Sequence, residues 1–242
     1  MAKLDDPNFV LSRDSQSWYS NEGGLMPTDK AISMKIVIFG PPGSGKGTYA
    51  SLLKDRLVIP HISTGDLVRE EIRNKTELGT EIKKYSDAGQ LVPDEVITKI
   101  LKKRLTLEPS EGFILEGYPR SIEQARQLES ITKIDVVVNL NVPDRIIVER
   151  LSSRVQCRNC GAIYNQRTLK PRIAGKCDKC GADLFKRDDD QPNVILERLK
   201  IYKETSAPVI DYYRTRKLLK ELTNDDPDVS PEIVADRIMK LI

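Results

Sequence analysis

The chain has 242 residues, 39 of them basic and 36 acidic, for a net charge of +3. That length suits one large domain or one with insertions, and so even a balance gives no argument for nucleic-acid binding by bulk charge. No apolar run approaches the ~20 residues of a membrane span, so no membrane association is expected.

Residues 1–33 differ from the rest. Asp5, Asp6, Pro7, Ser12, Asp14, Ser15, Ser17, Asn21, Gly23, Gly24 and Pro27 punctuate them without sustained periodicity, which predicts a loosely ordered extension. Asp5, Asp6, Asp14 and Glu22 argue against a transit peptide, and the lack of an apolar core argues against a signal peptide. Met34 directly precedes the first predicted strand and is a candidate alternative start. The apolar stretches 36–39, 113–115 and 136–140 read as short buried strands. Helical patterns cover 49–57, 93–105, 121–129, 143–154 and 194–214, and a weak last strand is expected at 218–222. Strands alternating with helices predict an α/β fold, a parallel sheet with helices on both faces.

Between the first strand and the first helix lies Gly40-Pro41-Pro42-Gly43-Ser44-Gly45-Lys46-Gly47-Thr48. It resembles the phosphate-binding pattern G-x-x-x-x-G-K-[ST], with Gly47 intervening before the hydroxyl residue. Glycines let successive backbone N–H groups turn toward an anion, and the following helix offers its unsatisfied N–H groups and positive dipole end. Lys46 can reach terminal phosphates, and Thr48 a phosphate or a metal. A glycine-rich turn with an incidental lysine is the bland alternative, and the flanking strand and helix weigh against it.

From 154 to 190 the α/β pattern breaks. All four cysteines lie here, as Cys157-x-x-Cys160 and Cys177-x-x-Cys180, separated by sixteen residues and each followed by a glycine, Gly161 and Gly181. The spacing matches a four-thiolate structural zinc site, which would stabilise a segment too small and polar for a core of its own. Two disulfides, or a redox-active Cys-x-x-Cys, are the other readings. The absence of a signal peptide disfavours the disulfides, and zinc stands ahead of iron.

Further motifs follow in order: Ser63-Thr64-Gly65-Asp66-Leu67-Val68-Arg69, Gly89-Gln90-Leu91-Val92-Pro93-Asp94, Gly117-Tyr118-Pro119-Arg120 with Gln124, then Arg150, Arg154, and Arg187-Asp188-Asp189-Asp190 with Arg198. With the phosphate loop they resemble the adenylate kinase family over residues 35–242, in the long-lid form whose insertion carries a zinc site. The resemblance implies a P-loop nucleoside triphosphate hydrolase-like three-layer fold: a parallel five-stranded sheet flanked by helices, an AMP-binding insertion at about 63–92 and a zinc lid at about 154–191. It implies reversible phosphoryl transfer from Mg-ATP to AMP, giving two ADP, in a cytoplasmic monomer.

By the same resemblance Gly43, Ser44, Gly45, Lys46, Gly47 and Thr48 hold the ATP phosphates, and Arg150, Arg154, Ile163 and Tyr164 also contact ATP. Thr64, Arg69, Gln90, Leu91, Val92, Gly117, Tyr118, Pro119, Arg120, Gln124, Arg187 and Arg198 form the AMP site. Lys46, Arg120, Arg154, Arg187 and Arg198 carry the catalysis. Phosphoryl transfer asks for positioning and charge neutralisation, for which arginine's planar fork is suited. Each arginine also has the reading of a weak surface pair, and Arg187 has ready partners in Asp188, Asp189 and Asp190. The single histidine, His61, has no evident partner and reads as structural.

The sequence departs from the family at Glu116, where aspartate is usual near the magnesium, and at Asn224-Asp225-Asp226, where an aspartate–glycine pair is frequent. A kinase for UMP, CMP or GMP is the nearest rival reading. A zinc-ribbon module binding nucleic acid or protein through clusters such as 170–172 is a rival of another class.

Overall fold

The computed structural model describes residues 9–11, 18–20, 33–87, 92–107 and 110–242. In chain order the strands are β1 (Phe9–Leu11), β2 (Trp18–Ser20), β3 (Lys35–Phe39), β4 (His61–Ser63), β5 (Phe113–Glu116), β6 (Val136–Asn141), β7 (Arg154–Cys157), β8 (Ile163–Asn165), β9 (Leu184–Phe185) and β10 (Leu219–Thr223). The α-helices are α1 (Lys46–Leu57), α2 (Thr64–Arg73), α3 (Glu77–Asp87), α4 (Asp94–Leu107), α5 (Ile122–Ile131), α6 (Asp144–Ser152), α7 (Pro192–Ile201), α8 (Ala207–Thr215) and α9 (Pro231–Met239).

β3, β4, β5, β6 and β10 form one parallel sheet in the order β10-β6-β3-β5-β4. The inner strands β3, β5 and β6 are mainly apolar runs because both faces are covered, whereas the edge strands β4 and β10 are more polar. Along β3, Ile36 and Ile38 face α1 and α9, packing with Leu53, Val234 and Ile238. Val37 and Phe39 face the other way, toward Leu101 of α4, Leu128 of α5 and Tyr213 of α8. The alternation follows from the period of two along a strand. β3 is central, and the chain crosses from β5 on one side of it to β6 on the other. Its carboxyl end is therefore a topological switch point, where α/β sheets bind ligands.

Local chemistry starts several helices. The side chains of Ser63, Ser121 and Ser230 accept from the backbone N–H three residues on, capping α2, α5 and α9. The long helical pattern at 194–214 resolves into α7, a π-helical segment Tyr202–Ser206, and α8. Pro208 lacks an N–H and its ring crowds the preceding turn, so the wider π turn precedes it. The predicted helix at 143–154 ends at Ser152 because Arg154 begins β7. In place of an irregular insertion, β7 is the centre of an antiparallel sheet ordered β8-β7-β9. In the expected loose extension, β1 and β2 pair antiparallel, with Val10 opposite Tyr19, and the rest of residues 1–32 lies outside the described residues.

Leu53 is fully buried between the sheet and α9. Leu53→Ala should cost about 2–5 kcal/mol of unfolding free energy in a denaturant titration. A loss within experimental error would mean that α1 is not held by this face.

Candidate active site

Gly40 to Gly45 turn from β3 into α1, and Gly43 and Gly45 have φ of 79° and 96°. A Cβ at Gly43 would lie 2.7 Å from Leu151 Cγ, and one at Gly45 2.6 Å from the Tyr49 ring, so any other residue would be strained and would have to displace its neighbour. α1 has no side-chain cap at its start, which leaves its first N–H groups facing the loop's concavity. Lys46 folds back across the loop, donating from Nζ to the carbonyls of Gly40 (2.8 Å) and Pro41 (2.7 Å). Burial lowers its pKa to about 8, with Glu116 opposing the shift and Arg120, Arg198 and Arg154 adding to it. Ser44 Oγ is buried with no hydrogen-bond partner among the described residues.

Glu116 closes β5 beside this loop. Its Oε2 lies 3.2 Å from where a Cβ of Gly47 would sit, and 3.3 Å from Nε2 of His61 on the neighbouring strand β4. Burial alone would raise its pKa, but the His61 hydrogen bond, Lys46 and Arg120 outweigh it and hold the carboxyl well below its usual range. The expectation of a partnerless structural histidine is thus corrected: the parallel register sets Ser63 opposite Glu116 and brings His61 alongside its carboxylate. Glutamate is one methylene longer than aspartate, and here its Oε2 meets His61 beside the start of α1.

The predicted arginines converge on the same cleft. Arg154, at the start of β7, donates from Nε (2.8 Å) and Nη2 (2.6 Å) to the carboxylate of Asp190, whose side chain is fully buried. Arg198 on α7 donates to the Asp189 carbonyl (3.0 Å) and pairs with its carboxylate (2.8 Å). Arg187 Nε donates to Gln156 Oε1 at 2.6 Å, a partner other than the neighbouring aspartates offered by the sequence. Burial, followed by Arg154 and Arg69, lowers the Arg187 pKa to about 10. Arg120 is also shifted down, by burial and then by Arg198, against Glu116. Lys46, Arg69, Arg120, Arg154, Arg187 and Arg198 therefore repel one another across one cleft with few carboxylates between them. Such a cleft is suited to polyanions.

At the ends of β4 and β5 Thr64 is buried, its Oγ1 donating to the Glu116 carbonyl (3.3 Å) and lying 2.8 Å from where a Cβ of Gly117 would be. Gly117 has φ of 82°, which brings Arg120 back so that its Nε donates to the Gly117 carbonyl at 2.8 Å. Arg69 pairs with Asp66 one turn away. Tyr118 is a core residue: its ring is buried and its hydroxyl meets Thr98 Oγ1 at 2.9 Å. Pro119 is buried beside it, and Gln124, 4% exposed, accepts from the Arg120 N–H at 2.7 Å. Val92 packs against the α3–α4 cluster. Gln90 and Leu91 lie outside the described residues.

Arg150 Nη2 reaches the Asp226 carbonyl at 3.4 Å, and its Nη1 is buried without a hydrogen-bond partner among the described residues. Asn224, where the family pattern departs, is buried and donates to the Tyr49 hydroxyl at 3.2 Å. Ile163 reaches the phosphate loop, its Cδ1 3.6 Å from where a Cβ of Gly47 would be. Tyr164 turns its ring into the cysteine cluster, its hydroxyl accepting from Asp178 N–H at 2.8 Å. That leaves only its main chain for a nucleotide.

The two cysteine knuckles fold alike. In each, the first cysteine's carbonyl accepts from the glycine that follows, Gly161 or Gly181, both with φ of 73°. The four Sγ atoms all lie within 4.8 Å of one another, with Cys157–Cys180 at 3.4 Å and Cys160–Cys177 at 3.5 Å. Tetrahedral zinc with bonds of about 2.3 Å separates its sulfurs by roughly 3.8 Å, so the donor set fits that ion.

Sequence reasoning did not single out His61 or Gln156 as partners of site residues, and it offered Asp190 to Arg187 where the structure pairs it with Arg154; only spatial pairing reveals these partners. A sequence profile of the adenylate kinase family matches residues 38–218. An adenylate kinase of Methanothrix thermoacetophila is 50% identical over 195 residues, 78% of this chain and 90% of its own length. One from Archaeoglobus fulgidus is 45% identical over 210 residues, 84% and 97% of the two chains. One from Syntrophomonas wolfei is 44% identical over 192 residues, 77% and 89%. With a phosphate loop, a strand-end arginine and a cysteine-bearing insertion all in the places the motifs required, this chain belongs to the adenylate kinase family.

Proposed function

We propose that this chain transfers the terminal phosphoryl group of ATP to AMP, reversibly, giving two ADP. The observation that carries the reading is the convergence of Lys46, Arg120, Arg154, Arg187 and Arg198 beside an uncapped, glycine-lined helix start. Gly43 to Thr48 cradle the donor phosphates, with Arg150, Arg154, Ile163 and the main chain of Tyr164 completing the ATP side. Thr64, Arg69, Gln90, Leu91, Val92, the turn Gly117 to Arg120 and Gln124 hold AMP. Arg187 and Arg198 span both phosphate chains.

The chemistry needs no nucleophile from the protein. The AMP phosphate attacks in line, and the cations neutralise charge spreading over the equatorial oxygens of the transferred group. Lys46 exchanges its two carbonyl contacts for phosphate oxygens. Glu116 and Thr48 offer the hard oxygen donors that suit magnesium, directly or through water, and the ion would supply neutralisation of the donor phosphate charge. His61 holds the Glu116 carboxylate in place. We assign residues 63–92 to an AMP-binding part and 154–191 to a lid that closes over ATP and excludes water, which would otherwise accept the phosphoryl group. Cys157, Cys160, Cys177 and Cys180 would hold a structural zinc that ties the lid together and takes no part in the transfer. The reading places the protein in the cytoplasm as a monomer without nucleic-acid or membrane partners. Among the described residues no helix is long and apolar enough to cross a membrane.

A coupled assay of ADP formation should give turnover with AMP far above UMP, CMP or GMP. Lys46→Met should lower kcat at least about a hundredfold, the scale of one transition-state electrostatic donor, with the melting temperature retained. A rate within threefold of the parent would remove Lys46 from this role.

Metal analysis should find one zinc per chain. Stripping it with a strong chelator at raised temperature should lower the melting temperature and expose the lid to protease, with zinc restoring both. A metal-free protein with an unchanged lid would reject the assignment.

Because Lys46 has a pKa of about 8 in the free protein, phosphates arriving beside it should pull that value back up. Below pH 7 the group is protonated with or without nucleotide, so binding moves no proton through it. Between about pH 8 and 10 it is largely neutral when free and protonated when bound. Calorimetry of ATP binding in buffers of different ionisation enthalpy should show proton uptake growing through that window and vanishing in Lys46→Met.

A further inference from the structure

Asp94 has no part in the chemistry above, yet contacts from the acceptor side meet at its carboxylate. It is the first residue of α4, and its backbone carbonyl accepts from Thr98 Oγ1 at 2.8 Å. Ser121 Oγ donates to its Oδ2 and Gln124 Nε2 to its Oδ1, both at 2.6 Å. At the opposite end of the same amide, Gln124 Oε1 accepts from the Arg120 backbone N–H at 2.7 Å. A carboxylate oxygen only accepts and a backbone N–H only donates. Both partners are satisfied with the Gln124 nitrogen toward Asp94 and its oxygen toward Arg120, and the reverse would set acceptor against acceptor and donor against donor. What remains of the amide is one lone pair on Oε1 and one hydrogen on Nε2, in a fixed order.

We propose that Asp94 is a specificity-determining residue, locking the polarity of the Gln124 amide so that the acceptor pocket takes a 6-aminopurine and rejects a 6-oxopurine. The inference rests on the reading of Gln124 as part of the AMP site. The edge of AMP presents an exocyclic amine, a donor, beside N1, an acceptor. It meets the spare lone pair and the spare hydrogen in complementary order. IMP presents a carbonyl beside a protonated N1, the opposite order. A buried polar group facing the wrong partner is left unsatisfied, which is how such sites reject analogues. Asp94 does not touch the nucleotide in this scheme and acts through Gln124.

The test compares kcat/KM for AMP and for IMP in the parent, Asp94→Ala, Asp94→Ser, Asp94→Asn and Gln124→Ala, with ATP KM and melting temperature measured alongside. Asp94→Ala and Asp94→Ser remove the acceptor that reaches Gln124, and the serine variant keeps a polar residue in the first turn of α4 should alanine impair folding. In both, the AMP-to-IMP ratio should fall at least tenfold, with ATP KM changed less than twofold. Asp94→Asn can still turn an oxygen to Gln124 and its amide to the Ser121 hydroxyl, so it should restore the ratio to within threefold. A purely structural role would lower activity on both substrates together and leave their ratio in place. A retained ratio in the alanine and serine variants, with Gln124→Ala abolishing it, overturns the role of Asp94 alone. A ratio untouched by Gln124→Ala overturns the reading of Gln124 as well.

Discussion

Like charges repel, and the cleft above the phosphate loop draws Lys46, Arg69, Arg120, Arg154, Arg187 and Arg198 into one another's fields. Lys46, Arg120, Arg187 and Arg198 each have their pKa pushed down, first by desolvation, with neighbouring cations adding to it. No packing argument favours such a cluster, so it persists only because other elements over-determine it. Glu116 stands under it from β5, and Asp189 and Asp190 from the turn before α7. These carboxylates leave the site net positive, a standing deficit of negative charge that two phosphate chains would fill. Sites of this kind trade stability for function.

The same ion pairs decide how the lid is attached. Arg154 is the first residue of β7, where the chain enters the insertion, and Asp190 is the last of the turn by which it leaves. Their two-pronged hydrogen bond clasps the entry to the exit. A fully buried carboxylate is tolerable only with such a partner, and losing either member leaves an uncompensated buried charge. The pair therefore fixes where the insertion springs from, and on the proposed assignment it holds a cation toward the donor phosphates at that same point.

Legibility in the sequence divides along the range of the interactions. The phosphate loop, the buried strands at 36–39 and 136–140 and the cysteine knuckles are written in local spacing, and each lies in the structure where that spacing put it. β4 is three residues long and β9 two, too short for any periodicity to register. His61 with Glu116, Asp190 with Arg154, and Asp94 with Gln124 join residues 55, 36 and 30 positions apart. Such pairs exist only once the sheet register and helix packing are set. Glu116 is the clearest instance: as a residue it is an aspartate position with one methylene too many, and in space its carboxylate meets the histidine of the adjacent strand. Tyr164 is the converse, since its place in the motif suggests a nucleotide contact and its ring is used to cover the cysteines.

The two halves of the site are held by different means. The proposed donor half is built from backbone, with glycines at Gly43 and Gly45 where a side chain would be strained and would displace its neighbours, and N–H groups supplied by a helix start. It is rigid because the sheet and α1 hold it. The acceptor half is built from side chains whose orientation depends on further side chains: Thr64 on Glu116, Arg120 on Gly117, Gln124 on Asp94, and Ser206 of the π-helical segment on the Arg120 carbonyl at 3.1 Å. Backbone amides read phosphate charge and are indifferent to the base behind it. Only directional side-chain groups can distinguish one nucleobase from another, and they do so only while something holds their polarity. On the proposed assignment base discrimination therefore belongs to the half whose supports are networked, and the residues that set it lie behind those that would face the nucleotide.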